Sequence, residues 1–75
     1  MRFSEKLTEL RRRRGLSQEQ LADFLGVTRQ SVSKWESGNV MPELGKLIAL
    51  SDLFHVTVDA LVKDRLDLPD PDQPG

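Results

Sequence analysis

The chain has 75 residues, of which 37% are hydrophobic and 31% are charged, and a formal net charge of −1. This length allows one domain, close to the lower size at which a hydrophobic core suffices for stability. The absence of cysteine excludes disulfides and thiolate metal sites. It fits the reducing cytoplasm, where we expect the protein to be located. No apolar run reaches membrane-spanning length and the N-terminus has no signal-peptide core, so we expect no membrane partner.

Charge is distributed unevenly along the chain. Residues 1–38 carry eight Lys and Arg against five Asp and Glu, a net charge of +3, whereas residues 39–75 carry three against seven, a net charge of −4. Binding to a polyanion depends on the local field over the contacted surface, so the overall charge does not exclude nucleic acid. We expect the acidic half to lie away from such a ligand, and it is a candidate surface for a protein partner.

The first predicted helix covers about residues 5–14, with Ser4 as its N-cap and leucines facing inward. Four successive arginines, residues 11–14, close this helix. Cations complement the dipole at a helix C-terminus, so a solvated helix end is the simplest interpretation of the run. Contacts from residues 12–14 to a nucleic-acid backbone are the weaker alternative.

Residues 17–38 predict two short helices joined by a glycine turn. Ser17 and Gln20 have the spacing of a capping box at the start of helix 2. Gly26 ends that helix, because glycine adopts the left-handed backbone conformation without a steric penalty. Thr28 then caps helix 3. The pattern predicts a helix-turn-helix whose helices need a further element to cover their apolar faces.

Helix 3, about residues 29–37, separates apolar from polar side chains. With Val32 and Trp35 facing the core, its outer face carries Arg29, Gln30, Ser33 and Lys34. Arginine, lysine and glutamine are residue types that recognise base edges in the major groove. Helix N-termini favour phosphate, so Gln18 and Thr28 are candidates for contact with a DNA backbone. A merely solvated face is the alternative interpretation.

Helix 4 is predicted over about residues 42–54, with Pro42 at its first position. Its high apolar content, which includes Leu44 and Ile48, predicts that it is the central packing element. Gly45 in the first turn should cost about 0.5–1 kcal/mol relative to alanine, unless a neighbouring backbone packs closely there.

Helix 5 is predicted over about residues 58–63, with Thr57 as its N-cap. His55 lies between helices 4 and 5, where a left-handed residue is expected. The Pro-rich acidic segment 64–75 predicts a flexible tail without regular structure. The fold class is therefore all-α, a compact five-helix orthogonal bundle over residues 1–63.

Residues 18–37 resemble the helix-turn-helix of the lambda-repressor and Cro-like family, also called the xenobiotic-response-element-like family. The family's Gln, Ala, Gly and apolar positions correspond to Gln18, Ala22, Gly26 and Val32. The W-E-x-G element closes helix 3 at residues 35–38, and the flanks LRRRRGLSQEQLA and LIALSDLFHVTVDALV are also typical. The resemblance covers about residues 7–62. It implies sequence-specific binding of double-stranded DNA by a small prokaryotic or phage transcriptional regulator, of the repressor type, which would be nucleoid-associated.

The same resemblance implies further residue roles. An arginine and a glutamate that pair in this family correspond to Arg11 and Glu36, which would pin helix 1 to the end of helix 3. The loop after helix 3 often contacts phosphate, which adds Asn39 to the candidate backbone contacts. Helix 3 would lie in the major groove.

One recognition helix spans only a few base pairs, so specific binding predicts a homodimer on a palindromic operator, with recognition helices about 34–36 Å apart. Apolar positions on helix 5 or late in helix 4, such as Val58 and Val62, are candidates for the dimer surface.

Two alternatives stay open at this point. The same bundle occurs in antitoxins and protein-interaction modules, where the acidic half would hold a protein partner. The second alternative is that the chain is the N-terminal part of a longer regulator, with the tail as a linker. Catalysis is not expected, because the sequence has no Gly-rich phosphate loop and no Cys/His pair. We also expect no metal or cofactor, since a lone histidine is rarely a metal site.

Overall fold

The computed structural model describes residues 1–69. These residues form five α-helices and no strand: α1 Phe3–Arg13, α2 Gln18–Leu25, α3 Arg29–Glu36, α4 Leu44–Phe54 and α5 Val58–Val62. The predicted all-α class, the number of helices and their order are confirmed. None of these helices combines the length and the apolar character needed to cross a bilayer.

A single cluster of buried apolar side chains joins the five helices. Every helix contributes to it, and Val56 joins it from the connection between α4 and α5. The cluster consists of Phe3, Leu7, Leu10, Leu21, Ala22, Leu25, Val32, Trp35, Leu47, Leu50, Phe54, Val56 and Leu61. Helices of five to eleven residues are marginal alone in water. Burying one large apolar side chain stabilises the fold by about 1.5–3 kcal/mol, so the shared core stabilises all five.

The predicted caps of the helix-turn-helix are confirmed. Ser17 Oγ accepts a hydrogen bond from the Gln20 N–H at 3.0 Å, and Gln20 Oε1 accepts one from the Ser17 N–H at 2.8 Å. Gly26 ends α2 with a φ of +67°, in the left-handed region. Thr28 Oγ1 accepts from the Ser31 N–H at 3.2 Å and starts α3. Local chemistry therefore determines where α2 starts and ends and where α3 begins.

The start of α1 differs from the prediction. The helix begins at Phe3 with Arg2 as N-cap, so Ser4 lies inside the first turn and is not the cap. Phe3 is 5% exposed and continues the apolar stripe of α1. Glu5 Oε1 accepts from the Arg2 N–H at 3.2 Å in place of the predicted serine cap. Burial of Phe3 explains why the helix starts earlier than the serine suggested.

The predictions for α4 were wrong in two respects. The helix begins at Leu44 after Glu43, so Pro42 precedes it and is not its first residue. Leu44 and Ile48 are 66% and 47% exposed, so they do not belong to a central packing element. The buried face of α4 consists of Leu47, Leu50 and Phe54. Helical geometry turns the other two side chains away from that stripe.

Gly45 has no close neighbour that would require a glycine. A Cβ atom at this position would meet only Glu43 Oε1, at 3.9 Å. The possibility that a neighbouring backbone packs against Gly45 is therefore wrong.

Lys6 is the buried charged side chain of the described core, with 0% exposure. Its Nζ donates to the carbonyl oxygens of Ala60 at 2.6 Å and Lys63 at 2.7 Å. These carbonyls lie at the C-terminal end of α5, where a cation is favourable. Burial of Lys6 was not predicted. Its spacing of three residues from Phe3 and four from Leu10 places it on the apolar stripe and is the signal for its burial.

The described part of the predicted tail, residues 64–69, contains no helix and contacts the bundle. Leu68 packs against the core, and the Pro69 carbonyl accepts from Arg13 Nη1 at 2.9 Å. The rest of the predicted tail, residues 70–75, lies outside the described residues.

Candidate nucleic-acid interface

The two faces of α3 differ in exposure. Val32 and Trp35 are 0% and 6% exposed and hold the helix on the core. The opposite face consists of exposed polar side chains: Arg29, Gln30, Ser33 and Lys34. Among residues 1–69 none of these four side chains forms a hydrogen bond or a salt bridge. Their donors and acceptors are therefore available to a ligand.

The charge of this outer face is positive. The acidic residue of α3, Glu36, has a side chain only 7% exposed and pairs with Arg11. The exposed charges of the helix are therefore those of Arg29 and Lys34. An exposed helix face with these two cations and a free glutamine amide suits the phosphates and base edges of a nucleic acid.

The three predicted phosphate contacts lie at different places around α3. Thr28 is exposed at its N-terminal end, where its Oγ1 also lies 3.0 Å from Ser31 Oγ. Asn39 is exposed just after its C-terminal end, and its N–H donates to the Lys34 carbonyl at 3.1 Å. Gln18 is half-buried at the first position of α2. The structure therefore places Thr28 and Asn39 at opposite ends of α3.

The carboxylate of Glu36 connects α1, α2 and α3. Its Oε2 accepts from Arg11 Nε at 2.8 Å, and its Oε1 accepts from Arg11 Nη2 at 3.1 Å. Oε1 also accepts from Gln18 Nε2 at 3.3 Å and from Thr8 Oγ1 at 3.0 Å. Arg11 Nη1 donates to the Leu16 carbonyl at 2.8 Å. The predicted Arg11–Glu36 pair is present and forms a wider network.

Two members of this network were not predicted in that role. Thr8 lies three residues before Arg11, on the same face of α1, and this spacing is a usable signal. The contact between Gln18 and Glu36 joins residues 18 positions apart, and no local pattern indicates it.

The network also sets the ionisation of its charged members. Burial opposes ionisation of Glu36, but hydrogen bonds from Arg11, Gln18 and Thr8 and the charge of Arg11 outweigh it. The pKa of Glu36 therefore lies below its ordinary value. The hydrogen bond from Arg11 to this carboxylate, with their charge attraction, raises the pKa of Arg11 against the effect of burial. Both groups are charged at neutral pH.

The arginine run at the end of α1 is not a uniformly solvated helix end. Besides Arg11, Arg14 Nη2 donates to the Leu53 carbonyl of α4 at 2.9 Å. Arg13 Nε pairs with Glu9 Oε2 at 3.0 Å on the surface. Arg12 is exposed, and its side chain forms no hydrogen bond within residues 1–69. Of the run, Arg12 retains the most freedom to meet a DNA backbone.

The described residues offer no group of three or more His, Cys, Asp or Glu side chains that could hold a metal ion. His55 is the exposed C-cap of α4, with a φ of 56°. The predicted left-handed residue at this position is confirmed, and it reverses the chain before Thr57 caps α5 through the Ala60 N–H at 3.0 Å.

A family model described as helix-turn-helix matches residues 7–61, which include the capped turn and the amphipathic α3. The chain belongs to the Cro/C1-type helix-turn-helix family. The matched range agrees with the predicted resemblance over about residues 7–62, and the family assignment is confirmed.

Transcriptional regulators are among the similar sequences. The chain is 48% identical over 62 residues to the HTH-type transcriptional activator BcrR of Enterococcus faecalis, covering 83% of this chain and 30% of BcrR. It is 44% identical over 61 residues to the SPbeta prophage-derived HTH-type transcriptional regulator YonR of Bacillus subtilis, covering 81% of this chain and 56% of YonR. The chain thus spans less than two thirds of either relative.

A solved structure shows the same fold in a repressor. The P22 c2 repressor, in complex with a synthetic operator, superposes with a TM-score of 0.80 at 27% identity. The match covers 84% of this helix-turn-helix chain and 96% of the P22 protein. These similarities do not favour the antitoxin alternative.

Proposed function

We propose that this helix-turn-helix protein binds double-stranded DNA sequence-specifically as a transcriptional regulator that represses its target, without catalysis. The observation that carries the proposal is the exposed polar face of α3, whose side chains have no partner among residues 1–69. Val32 and Trp35 hold the helix on the core. We take residues 1–63 as the DNA-binding domain and 64–75 as a tail, acting on the nucleoid in the cytoplasm. The acidic second half stays a predicted surface for a protein partner.

Repression is the simpler outcome for a domain of this fold bound to DNA. A bound domain blocks an overlapping promoter by occupying it, whereas activation requires an additional contact with the transcription machinery. The similar protein named as an activator, BcrR, has 70% of its length outside the match, since the chain covers 30% of it. The P22 c2 repressor, by contrast, is matched over 96% of its solved chain.

In this proposal α3 lies in the major groove and its outer face contacts the bases. Arg29 and Lys34 would donate to guanine, Gln30 would bond to adenine, and Ser33 would contact either. Each good bidentate contact discriminates against a wrong base by about 1–3 kcal/mol. Sequence preference would therefore depend most on Arg29 and Gln30.

The contacts to the DNA backbone would position α3 without selecting the sequence. Thr28 and Asn39 flank the helix, one at each end. Gln18 stands at the N-terminus of α2, where main-chain N–H groups favour a phosphate. Its hydrogen bond to Glu36 holds the amide in place, so we propose that the phosphate meets a preoriented side chain.

Two copies are needed for useful specificity. The eight residues of α3 span only about 12 Å, which corresponds to about three or four base pairs. A genome offers on the order of 10⁶–10⁹ competing sites, so one half-site occurs far too often. We propose a homodimer on a palindromic operator.

The experiment begins with selection of bound duplexes from random DNA. Gel shifts then compare Arg29→Ala and Gln18→Ala on the selected site and its single-base variants. Arg29→Ala should relax preference at one base position by roughly 5- to 150-fold, the equivalent of about 1–3 kcal/mol. Gln18→Ala should weaken binding evenly across sequences.

Arg65→Ala is the charge-matched control, because it removes an exposed arginine outside α2 and α3. The loss of DNA affinity in this variant measures the effect of reduced charge alone. Equal losses of affinity on all sequences for Arg29→Ala and Gln18→Ala would contradict the proposal that α3 contacts the bases. Binding of the wild-type protein should also fall steeply with salt.

A further inference from the structure

Four large apolar side chains remain exposed along the segment that follows α3. They are Val40, Met41, Leu44 and Ile48, with exposed fractions of 48%, 52%, 66% and 47%. Leu44 and Ile48 lie one turn apart on the same side of α4. Isolated exposed apolar residues are ordinary, but a group concentrated in one short segment marks an interaction surface. We call these four residues the α3–α4 apolar face.

A cavity of about 280 Å³ opens beside this face. Val40 and Met41 form part of its wall, together with Trp35 and Val62 from the ends of α3 and α5. The same cavity is lined by the exposed charges Arg2 and Asp64, neither of which forms a salt bridge within residues 1–69. Protruding apolar side chains, a cavity and both signs of charge thus lie together.

The chemistry of the α3–α4 apolar face limits which kind of partner can cover it. DNA does not suit it, because residues 40–45 contain no Lys or Arg and include the exposed Glu43. Residues 70–75, DPDQPG, have no large apolar side chain with which to cover it. Contact between two copies about a two-fold axis requires a surface that is complementary to itself. Protruding apolar side chains, a cavity and opposite charges are the parts from which such a surface is built.

We propose that the α3–α4 apolar face is the surface through which two copies of this chain associate. The two-fold arrangement would place Arg2 of one copy opposite Asp64 of the other and bury Leu44 and Ile48 of both. The proposal deepens, and in that sense rests on, the homodimeric DNA binding proposed above. It differs from the sequence-based candidates, since Val58 and Val62 are half-buried against the core and, of the two, Val62 lines the cavity.

The position of the face relative to α3 gives the association a consequence for DNA binding. Trp35 and Gly38, at the end of α3 and just after it, line the same cavity as Val40 and Met41. Contact between copies on this face would fix the distance and angle between the two α3 helices. The face would therefore determine the half-site spacing that the protein accepts.

Four half-exposed side chains per copy make a small interface, below the roughly 1,200 Å² buried in stable complexes. Association is therefore weak in free solution and strong on DNA, where neighbouring half-sites raise the effective concentration. Both conditions have to be measured.

Sedimentation equilibrium of the full chain at up to about 1 mM tests association without DNA. Wild type should show a monomer–dimer equilibrium, and Leu44→Ser should raise its Kd at least about tenfold, the amount expected for one buried leucine. Phe24→Ser is the matched control, because Phe24 is also 66% exposed but lies on α2. Its Kd should equal that of wild type. Far-ultraviolet circular dichroism confirms that each variant is folded.

Gel shifts on selected duplexes with one or two half-sites form the second arm. Leu44→Ser should keep the affinity for one half-site and lose the cooperative step on two. A wild type that stays monomeric at every concentration and binds two half-sites without cooperativity overturns the inference, while single-site binding preserves the proposed function. If the dimer persists in Leu44→Ser but dissociates in Phe24→Ser, the interface lies on α2, and this result also overturns the inference. Absence of all DNA binding overturns the proposed function, and sedimentation still decides the association surface.

Discussion

Replacing Glu36 by alanine removes the carboxylate that connects α1, α2 and α3. Four hydrogen bonds end on it, two from Arg11 and one each from Gln18 and Thr8. Its side chain is 7% exposed, and that of Arg11 is 15% exposed. Glu36→Ala therefore leaves a largely buried guanidinium without its counter-charge.

Breaking a buried ion pair by removing one partner costs about 3–5 kcal/mol. Water can partly reach Arg11, so we expect a loss near about 3 kcal/mol in the free energy of unfolding. A domain of 75 residues has a total stability of roughly 4–11 kcal/mol, so the loss is a large fraction of it. At about 4–8 °C per kcal/mol for a domain of this size, the midpoint of thermal unfolding should fall by roughly 12–24 °C.

Thermal and urea unfolding, followed by circular dichroism and by the fluorescence of Trp35, measure this loss. Glu9→Ala is the matched control, because it removes the other glutamate–arginine pair of α1, in which Glu9 and Arg13 are 41% and 28% exposed. An exposed pair contributes at most about 1 kcal/mol. If Glu36→Ala melts within one or two degrees of Glu9→Ala, the network is not structural and the reasoning fails.

Three further predictions concern stability. Because the folded pKa of Glu36 lies below its ordinary 4.5, its stabilising effect is present above that pH and is lost as the pH falls through the folded pKa. In urea unfolding measured at a series of pH values, Glu36→Gln should therefore reduce the loss of stability at acidic pH. A variant that loses as much stability in acid as wild type would contradict this prediction. Lys6→Met should lower the free energy of unfolding by about 1–3 kcal/mol, because the carbonyls of Ala60 and Lys63 lose their donor. Amide hydrogen exchange should show faster opening of α5, and unchanged protection of α5 would refute this prediction. Gly45→Ala should stabilise by about 0.5 kcal/mol in urea unfolding, because the site is helical and open; a lower midpoint would reveal an unrecognised contact.

The helix-turn-helix was predictable because its determinants are local. Ser17, Gly26 and Thr28 each decide the backbone within three residues of themselves. Two anchors, Val32 and Trp35, were enough to orient α3, since the helical period then determines which side chains face outward. The exposed face of the candidate site follows from that geometry alone.

The errors arose where local preference competes with burial. Ser4 is a good N-cap residue, but burying Phe3 inside the helix moved the start of α1. Apolar composition alone could not show that Leu44 and Ile48 point away from the core. Their exposure depends on which stripe of α4 meets the other helices, and that is decided by distant parts of the chain.

The network around Glu36 was predictable only in part, and for the same reason. The Arg11–Glu36 pair was anticipated from a family resemblance rather than from spacing along the chain. The hydrogen bond from Gln18 to Glu36 depends on how α2 and α3 pack together, which no single segment specifies.

The buried ammonium of Lys6 also has a consequence for the order in which the protein folds. Its acceptors lie 54 and 57 positions further along the chain. Contacts of such long range form late, after shorter loops have closed. During synthesis α1, α2 and α3 emerge before α5, yet α1 cannot bury its lysine until residue 63 has been made. We therefore expect a nascent chain to complete the packing of its helix-turn-helix bundle in one late, cooperative step.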